Sequence, residues 1–276
     1  MPATNNVPAV MPSLKAFFGY TRHPFPPSCP PEPLFRHEAM EGALDGAKNA
    51  LMNRMHVLVT AAAGQGKSSF CRLLASELNP RDLRAAYLVG QPIGETEVLH
   101  KVADALGVET AFRRGVAAKL LSAGLQKLAA TPGAPHPVVI LDEAQQLRLT
   151  AIDLLRLVAE DSSRTLLSLV LVGDDTLRRQ LTRQAFAPLA GRMAVRIQLP
   201  PLSEDQTARF VEHAFQAVGM QNILSPTAIA PLFAASGGSP REIGAILSAA
   251  MRRALVKRSK MLTDEIVQEV IDERRA

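Results

Sequence analysis

Tryptophan is absent from this chain, and tyrosine and cysteine occur only twice each. With Cys29 and Cys71 alone, one in a proline-rich stretch and the other in a predicted helix, no disulfide framework and no thiolate metal cluster can be built. That pattern fits a reducing compartment. Also missing is any apolar run of the roughly 20 residues that a membrane-crossing helix needs. The opening MPATNNVPAV has neither the basic start nor the apolar core of a secretion signal, so the expectation is a cytoplasmic chain with no membrane partner. Nor is there an acidic excess: 31 Lys and Arg against 26 Asp and Glu leave a net charge of +5. Such a balance favours an anionic partner, and nucleotides, nucleic acids and acidic lipid surfaces all satisfy it.

What is present is a core. A hydrophobic content of 47% over 276 residues supports one larger domain and a smaller helical appendage. Residues before about Ser13 read as a flexible tail. The stretch LKAFFGYTRHPFPPSCPPEPLF reads as an extended arm whose Phe17, Phe18 and Phe25 dock on the main domain, with an adenine ring or an adjacent subunit as the alternative contact. From about His37, the spacing of Met40, Leu44, Ala47 and Leu51 predicts a helix, followed by strands at MHVLVT, AAYLV, PVVILDE, LLSLVLVG and VRIQLP with helical segments between them. Strands alternating with helices predict an α/β parallel sheet covered on both faces, with its ligand at the carboxyl ends of the strands. After Pro200 the pattern becomes helical throughout, with Ser, Thr and Asp at the starts. The expected organisation is therefore tail and arm over residues 1–36, an α/β domain over 37–200 and a helical lid over 201–276.

The motif richest in chemistry is Ala61-Ala62-Ala63-Gly64-Gln65-Gly66-Lys67-Ser68, between a predicted strand and the helix-like SFCRLLASEL. In a phosphate-binding loop, glycines let backbone N–H groups converge on phosphate oxygens, lysine neutralises them, and the hydroxyl ligates magnesium. Gly64, Gln65, Gly66, Lys67, Ser68 and Ser69 are thus the predicted nucleotide contacts. Ala61 stands where this motif usually has its first glycine, which predicts strain if the backbone there has positive φ. The second motif, VVILDEAQ, ends a buried strand on Asp142 and Glu143. Asp142 is predicted to hold a magnesium shell together with Ser68, and Glu143 to polarise the attacking water. Asp174, at the end of LSLVLVGDD, is the predicted sensor of the γ-phosphate or of the attacking water, with Thr176 as alternative.

In this order the parts FFGYTRHPF, AAAGQGKSS, VVILDEAQ, LVLVGDDTLRRQL, LAGRMAVRIQLPPLS and GGSPREIGAIL resemble the AAA+ ATPases, and within them the ExeA-like group that includes transposition helpers of the IstB, TniB and TnsC type. The resemblance covers residues 14 to 260. It implies a P-loop AAA+ three-layer αβα parallel sheet with a C-terminal helical lid, ATP and Mg2+ as cofactors, and a homo-oligomer, ring or filament. By position, Arg192 in LAGRM resembles the arginine finger acting on a neighbouring subunit's ATP, with Arg196 as the alternative, and Arg241 in GGSPRE resembles the second sensor. The implied function is ATP-dependent assembly on duplex DNA that regulates transposition by selecting target DNA and recruiting a transposase or a transposition-associated protein. Secretion assembly and helicase or replication loading are the alternatives. Arg113, Arg114, Lys119, Arg178, Arg179 and Arg183 are the candidate DNA phosphate contacts. The basic run Arg252, Arg253, Lys257, Arg258 and Lys260 is a further candidate surface for DNA or a partner.

Overall fold

The computed structural model describes residues 12–26, 33–161 and 164–275. The tail expected before Ser13 lies, but for Pro12, outside these residues, as does Cys29. In chain order the elements are α1 (Leu14–Phe18), α2 (Glu38–Met52), β1 (His56–Thr60), α3 (Lys67–Glu77), β2 (Leu83–Val89), α4 (Glu95–Leu106), α5 (Arg114–Ala130) and β3 (His136–Asp142). They continue as α6 (Leu149–Ala159), β4 (Ser168–Gly173), α7 (Asp175–Leu181), α8 (Ala187–Arg192), β5 (Met193–Gln198), α9 (Glu204–Gln216), α10 (Ile229–Ser236), α11 (Pro240–Val256) and α12 (Asp264–Arg275). Two compact units result: Arg36–Pro200, and a second made of Met1–Phe35 with Pro201–Ala276.

The first unit holds a five-stranded sheet in the order β2-β3-β4-β1-β5, parallel throughout. The three inner strands β3, β4 and β1 are buried along their whole length, which is why they read as unbroken apolar runs. The edge strands β2 and β5 are only partly buried, and along β5 exposure alternates. On one face, Val139, Leu141, Leu169 and Leu171 pack with Val102 and Leu106 of α4, Leu121 and Leu125 of α5, and Ile152 and Leu155 of α6. Each such leucine contributes about 2 kcal/mol by leaving water. Register places the strand ends together: Thr60 pairs with Gly173 and Val89 with Asp142. The sheet thereby gathers the ends of β1, β2, β3 and β4 along one edge.

The second unit is helical. Ser203 and Gln206 form a reciprocal capping box at the start of α9, and Ser239 caps α11. Its core contains Phe215, Leu232, Ile243, Leu247, Met251, Ile266 and Val270. The arm departs from expectation twice. Residues 14–18 form a short helix, because Ser13 accepts the Ala16 N–H, Gly19 closes the turn at φ 76°, and the prolines begin only at Pro24. Its aromatics also pack within the helical unit instead of on the sheet: Phe25 meets Phe215 edge-on with ring centroids 5.3 Å apart, and Phe35 meets Phe210 at 5.5 Å. Among the described residues, no helix is long and apolar enough to cross a membrane.

Candidate functional site

The loop between β1 and α3 takes the shape the phosphate motif requires. Gly64 and Gly66 have φ of 81° and 86°, a region closed to most side chains. Gly66 caps α3, whose first-turn N–H groups have no partner inside the helix and carry the positive end of its dipole. Ala61 escapes the strain considered for it: it is not among the positive-φ residues, and its N–H donates to the Gly173 carbonyl at 3.1 Å, so it simply prolongs the sheet ladder. Lys67 is 6% exposed, and its Nζ donates to the carbonyls of Ala61 and Ala62 at 3.2 Å each. A buried ammonium met, among the described residues, by neutral carbonyls fits an anion. Ser68 is exposed beside it.

Asp142 ends β3, an inner strand between β2 and β4, and is 2% exposed. One carboxylate oxygen, Oδ2, accepts from the Tyr87 hydroxyl at 2.8 Å, and Oδ1 accepts from the Glu143 N–H at 2.9 Å. Tyr87 lies two residues before Val89, the register partner of Asp142, so both side chains leave the same face of the sheet. Burial, and then the bond to Asp142, push the Tyr87 phenol above its ordinary value, so the hydroxyl stays a donor. An oriented carboxylate and an exposed serine hydroxyl are hard oxygen donors of the type magnesium takes alongside phosphate oxygens.

Glu143 stands in left-handed backbone at φ 52° and ψ 40°, which costs a non-glycine residue about 1–3 kcal/mol. Its neighbours enforce that turn. The Gly90 N–H donates to the Asp142 carbonyl at 2.6 Å, and a Cβ on Gly90 would lie 2.3 Å from the Glu143 carbonyl oxygen. Gln145 Nε2 donates to Glu143 Oε2 at 2.5 Å, while its Oε1 is buried without a partner among the described residues. A Cβ on Gly173 would fall 2.8 Å from that same oxygen. Tyr87, Gly90 and Gly173 had no assigned role in the sequence, and Gln145 was only a letter in VVILDEAQ. Only for Gly90, a glycine directly after a strand, did the sequence hold a usable signal.

Asp174, the predicted sensor, follows β4 at this edge and caps α7, with Oδ1 accepting from Thr176 N–H at 2.8 Å and Leu177 N–H at 3.4 Å. Loop 61–68, Asp142, Glu143 and Asp174 therefore meet at adjacent strand ends. Arg192 lies elsewhere: it ends α8 just before Met193, which pairs with His56 at the opening of β1. The five residues of β1 separate it from the phosphate loop by about 16 Å, beyond the reach of one side chain. Arg196 is fastened to the backbone of α8, Nη2 donating to the Ala190 carbonyl at 2.8 Å. Arg241 is exposed in the first turn of α11, in the helical unit.

All six candidate DNA contacts are exposed. Arg113, Arg114 and Lys119 lie at and after the start of α5, where Arg114 pairs with Glu95 at 2.5 Å. Arg178 and Arg179 lie on α7 and Arg183 just beyond it, with Arg178 paired to Asp175 at 3.2 Å. Three members of the basic run, at the end of α11 and just beyond it, are engaged inside their own unit: Arg253 pairs with Glu273, Lys257 pairs with Glu269 at 2.5 Å, and the Lys260 ammonium sits 4.1 Å from the centre of the Phe17 ring. Those partners account for Arg253, Lys257 and Lys260 without a ligand, while Arg252 and Arg258 are exposed.

Comparison with known proteins places this geometry. The profile of the AAA domain family matches residues 50–181. General secretion pathway protein A of Aeromonas hydrophila is 30% identical over 249 residues, covering 88% of this chain and 45% of that protein. The chain thus spans about half the length of the curated relative it matches. Among solved structures, the Aeropyrum pernix ORC2 protein in ADPNP–ADP complexes superposes with a TM-score of 0.67 at 19% identity, over 91% of this chain and 71% of that one. The Aeropyrum pernix ORC1 protein in complex with DNA gives 0.62 at 20% identity, over 90% and 66%. At these identities the solved structures establish the fold. With the phosphate loop and acidic pair at adjacent strand ends, the chain belongs to the AAA+ ATPases, in the ExeA-like group.

Proposed function

We propose that this chain hydrolyses ATP with magnesium at the interface between neighbouring subunits, that the resulting homo-oligomer, ring or filament, forms on duplex DNA, and that it regulates transposition by selecting target DNA and recruiting a transposase. The observation that carries the proposal is the placement of Arg192 at the end of the sheet opposite its own phosphate loop. An arginine so placed serves a neighbour's nucleotide, and a head-to-tail contact that repeats it closes into a ring or runs on as a filament.

In this reading the amides of Gly64 to Ser69 and the Lys67 ammonium hold the phosphates, and Ser68 and Asp142 hold the metal. Held there, magnesium would supply positive charge against the phosphates. Glu143 accepts a hydrogen bond from the attacking water and orients it toward the γ-phosphorus; as the water oxygen bonds to phosphorus the bond to the bridging oxygen breaks, a water proton passes to Glu143, and ADP and inorganic phosphate leave. Arg192 enters from the neighbour to offset the developing charge, so turnover depends on assembly. Arg241 is assigned to sensing the γ-phosphate and Asp174 to sensing the water. The DNA part rests on the exposed arginines of α5 and α7, and the transposition part on the motif resemblance to the IstB, TniB and TnsC type.

A second reading, ATP-driven work in secretion, is favoured by the identity to General secretion pathway protein A. Sedimentation and negative-stain imaging with duplex DNA at fixed salt, under ATP, ADP and no nucleotide, separate the two. Rings or filaments on DNA only with ATP support the transposition reading. Assembly with ATP but no DNA association at low salt supports a protein-directed ATPase.

A further inference from the structure

Arg192 is not free on the surface. Its Nε lies 3.3 Å from Glu160 Oε1, while its two terminal nitrogens have no recorded partner among the described residues. Glu160 follows α6 and is fixed from several sides. Its backbone bridges to Thr165, and its other oxygen, Oε2, lies 3.3 Å from Nη1 of Arg156, whose side chain is 9% exposed and whose Nε also donates to Asp153 at 2.8 Å. Behind Oε1, at 3.8 Å, stands His56 Nε2, in a ring that is 3% exposed. His56 Nδ1 accepts the Leu169 N–H at 3.0 Å, which leaves the ring proton on Nε2, and Nε2 has no hydrogen-bond partner among the described residues. The carboxylate is therefore held by Arg156 at one oxygen, backed by a buried imidazole, and presents the other oxygen to Arg192.

An ion pair in which Arg192 is 61% exposed adds little to stability, on the order of 0–1 kcal/mol. What it does is orient. Holding the exposed guanidinium at Nε leaves its terminal pair without a partner among the described residues, and that pair can grip phosphate in a two-pronged contact. We infer that Glu160 is the positioning residue for the arginine that completes the neighbouring subunit's ATP site. This inference rests on the proposed action of Arg192 across the interface. Glu160 touches no reacting atom; it acts through Arg192.

The test is steady-state ATP turnover of full-length assembled protein for Arg192→Ala, Glu160→Gln and the double variant, with KM and kcat separated. Arg192→Ala is expected to lower kcat by about a thousandfold, the scale of an arginine finger. Glu160→Gln is expected to lower kcat about tenfold with KM for ATP within about twofold of the parent, and to add nothing once Arg192 is gone. A merely structural role would instead lower turnover by the same factor in both backgrounds, and that result overturns the inference. Because Glu160→Gln also loosens Arg156, Glu160→Asp is the second variant: it keeps the charge for Arg156, retracts the carboxylate by about one bond length, and is expected to reproduce the kcat loss. Normal kcat in both Glu160 variants with Arg192→Ala impaired removes the inference alone. Normal kcat in Arg192→Ala removes the reading on which it rests, and the inference with it.

Discussion

Gln145 donates from its side-chain amide to the carboxylate of Glu143, two residues away across a left-handed turn. The bond fixes where the proposed water-orienting oxygen sits. Gln145→Ala is therefore expected to lower kcat about tenfold while leaving ATP affinity within about twofold, because the carboxylate remains but its position is lost. Glu143→Gln is expected to keep ATP and accumulate stable assemblies with turnover reduced by a hundredfold or more, on the order of a lost catalytic base. Lys67→Ala is expected to lose nucleotide binding. Titration with a fluorescent ATP analogue beside turnover separates the three. Unchanged turnover in Glu143→Gln contradicts its assignment.

Gly90 is the position where a single methyl group does most harm to the acidic pair. A Cβ there lies 2.3 Å from the Glu143 carbonyl oxygen and 3.1 Å from that of Asp142, and backbone cannot move aside as a flexible side chain does. Gly90→Ala is expected to lower unfolding stability by about 2 kcal/mol and to reduce turnover in the molecules that remain folded. Chemical denaturation together with turnover at low temperature checks both. Parent-like values in each would show that the turn yields.

Stability is expected to fall as the solution is acidified below pH 6.5. Burial, aided by Arg54 and His56, lowers His136 from 6.5 to about 4, and burial also lowers His56, with Arg156 and Arg192 adding to the effect against the pull of Glu160. Between those values the unfolded chain binds a proton that the folded chain refuses. The contribution is thus complete above pH 6.5 and is lost as pH falls toward 4, amounting to about 3 kcal/mol for His136. Denaturant midpoints at pH 7 and pH 5, for the parent and for His136→Asn, measure it. The parent is expected to lose more than the variant, and equal losses would remove His136 as the cause.

The order of strands and helices was legible because the inner strands are buried on both faces and therefore read as continuous apolar runs, with Val138 to Leu141 the clearest case. The phosphate loop and acidic pair were legible because each is contiguous in sequence. Tyr87 was not: it lies 55 residues from Asp142, and only strand register brings its hydroxyl to that carboxylate. Glu160 was invisible for the same reason, since its partners His56 and Arg192 come from opposite ends of the unit's sequence. The arm showed by its phenylalanines that it would be covered, but not by what. Whether Ala61 is strained depended on one backbone angle that composition does not encode.

The central claim is that one subunit's arginine completes its neighbour's site, and turnover in equimolar mixtures of Arg192→Ala and Glu143→Gln tests it most directly. Each variant alone has every interface broken. In a random mixture about one interface in four joins an intact acidic pair to an intact arginine, so turnover is expected to recover to roughly a quarter of the parent value, following the symmetry of a head-to-tail contact. Turnover that stays at the level of the separate variants, at concentrations where subunits exchange, would contradict hydrolysis across the interface.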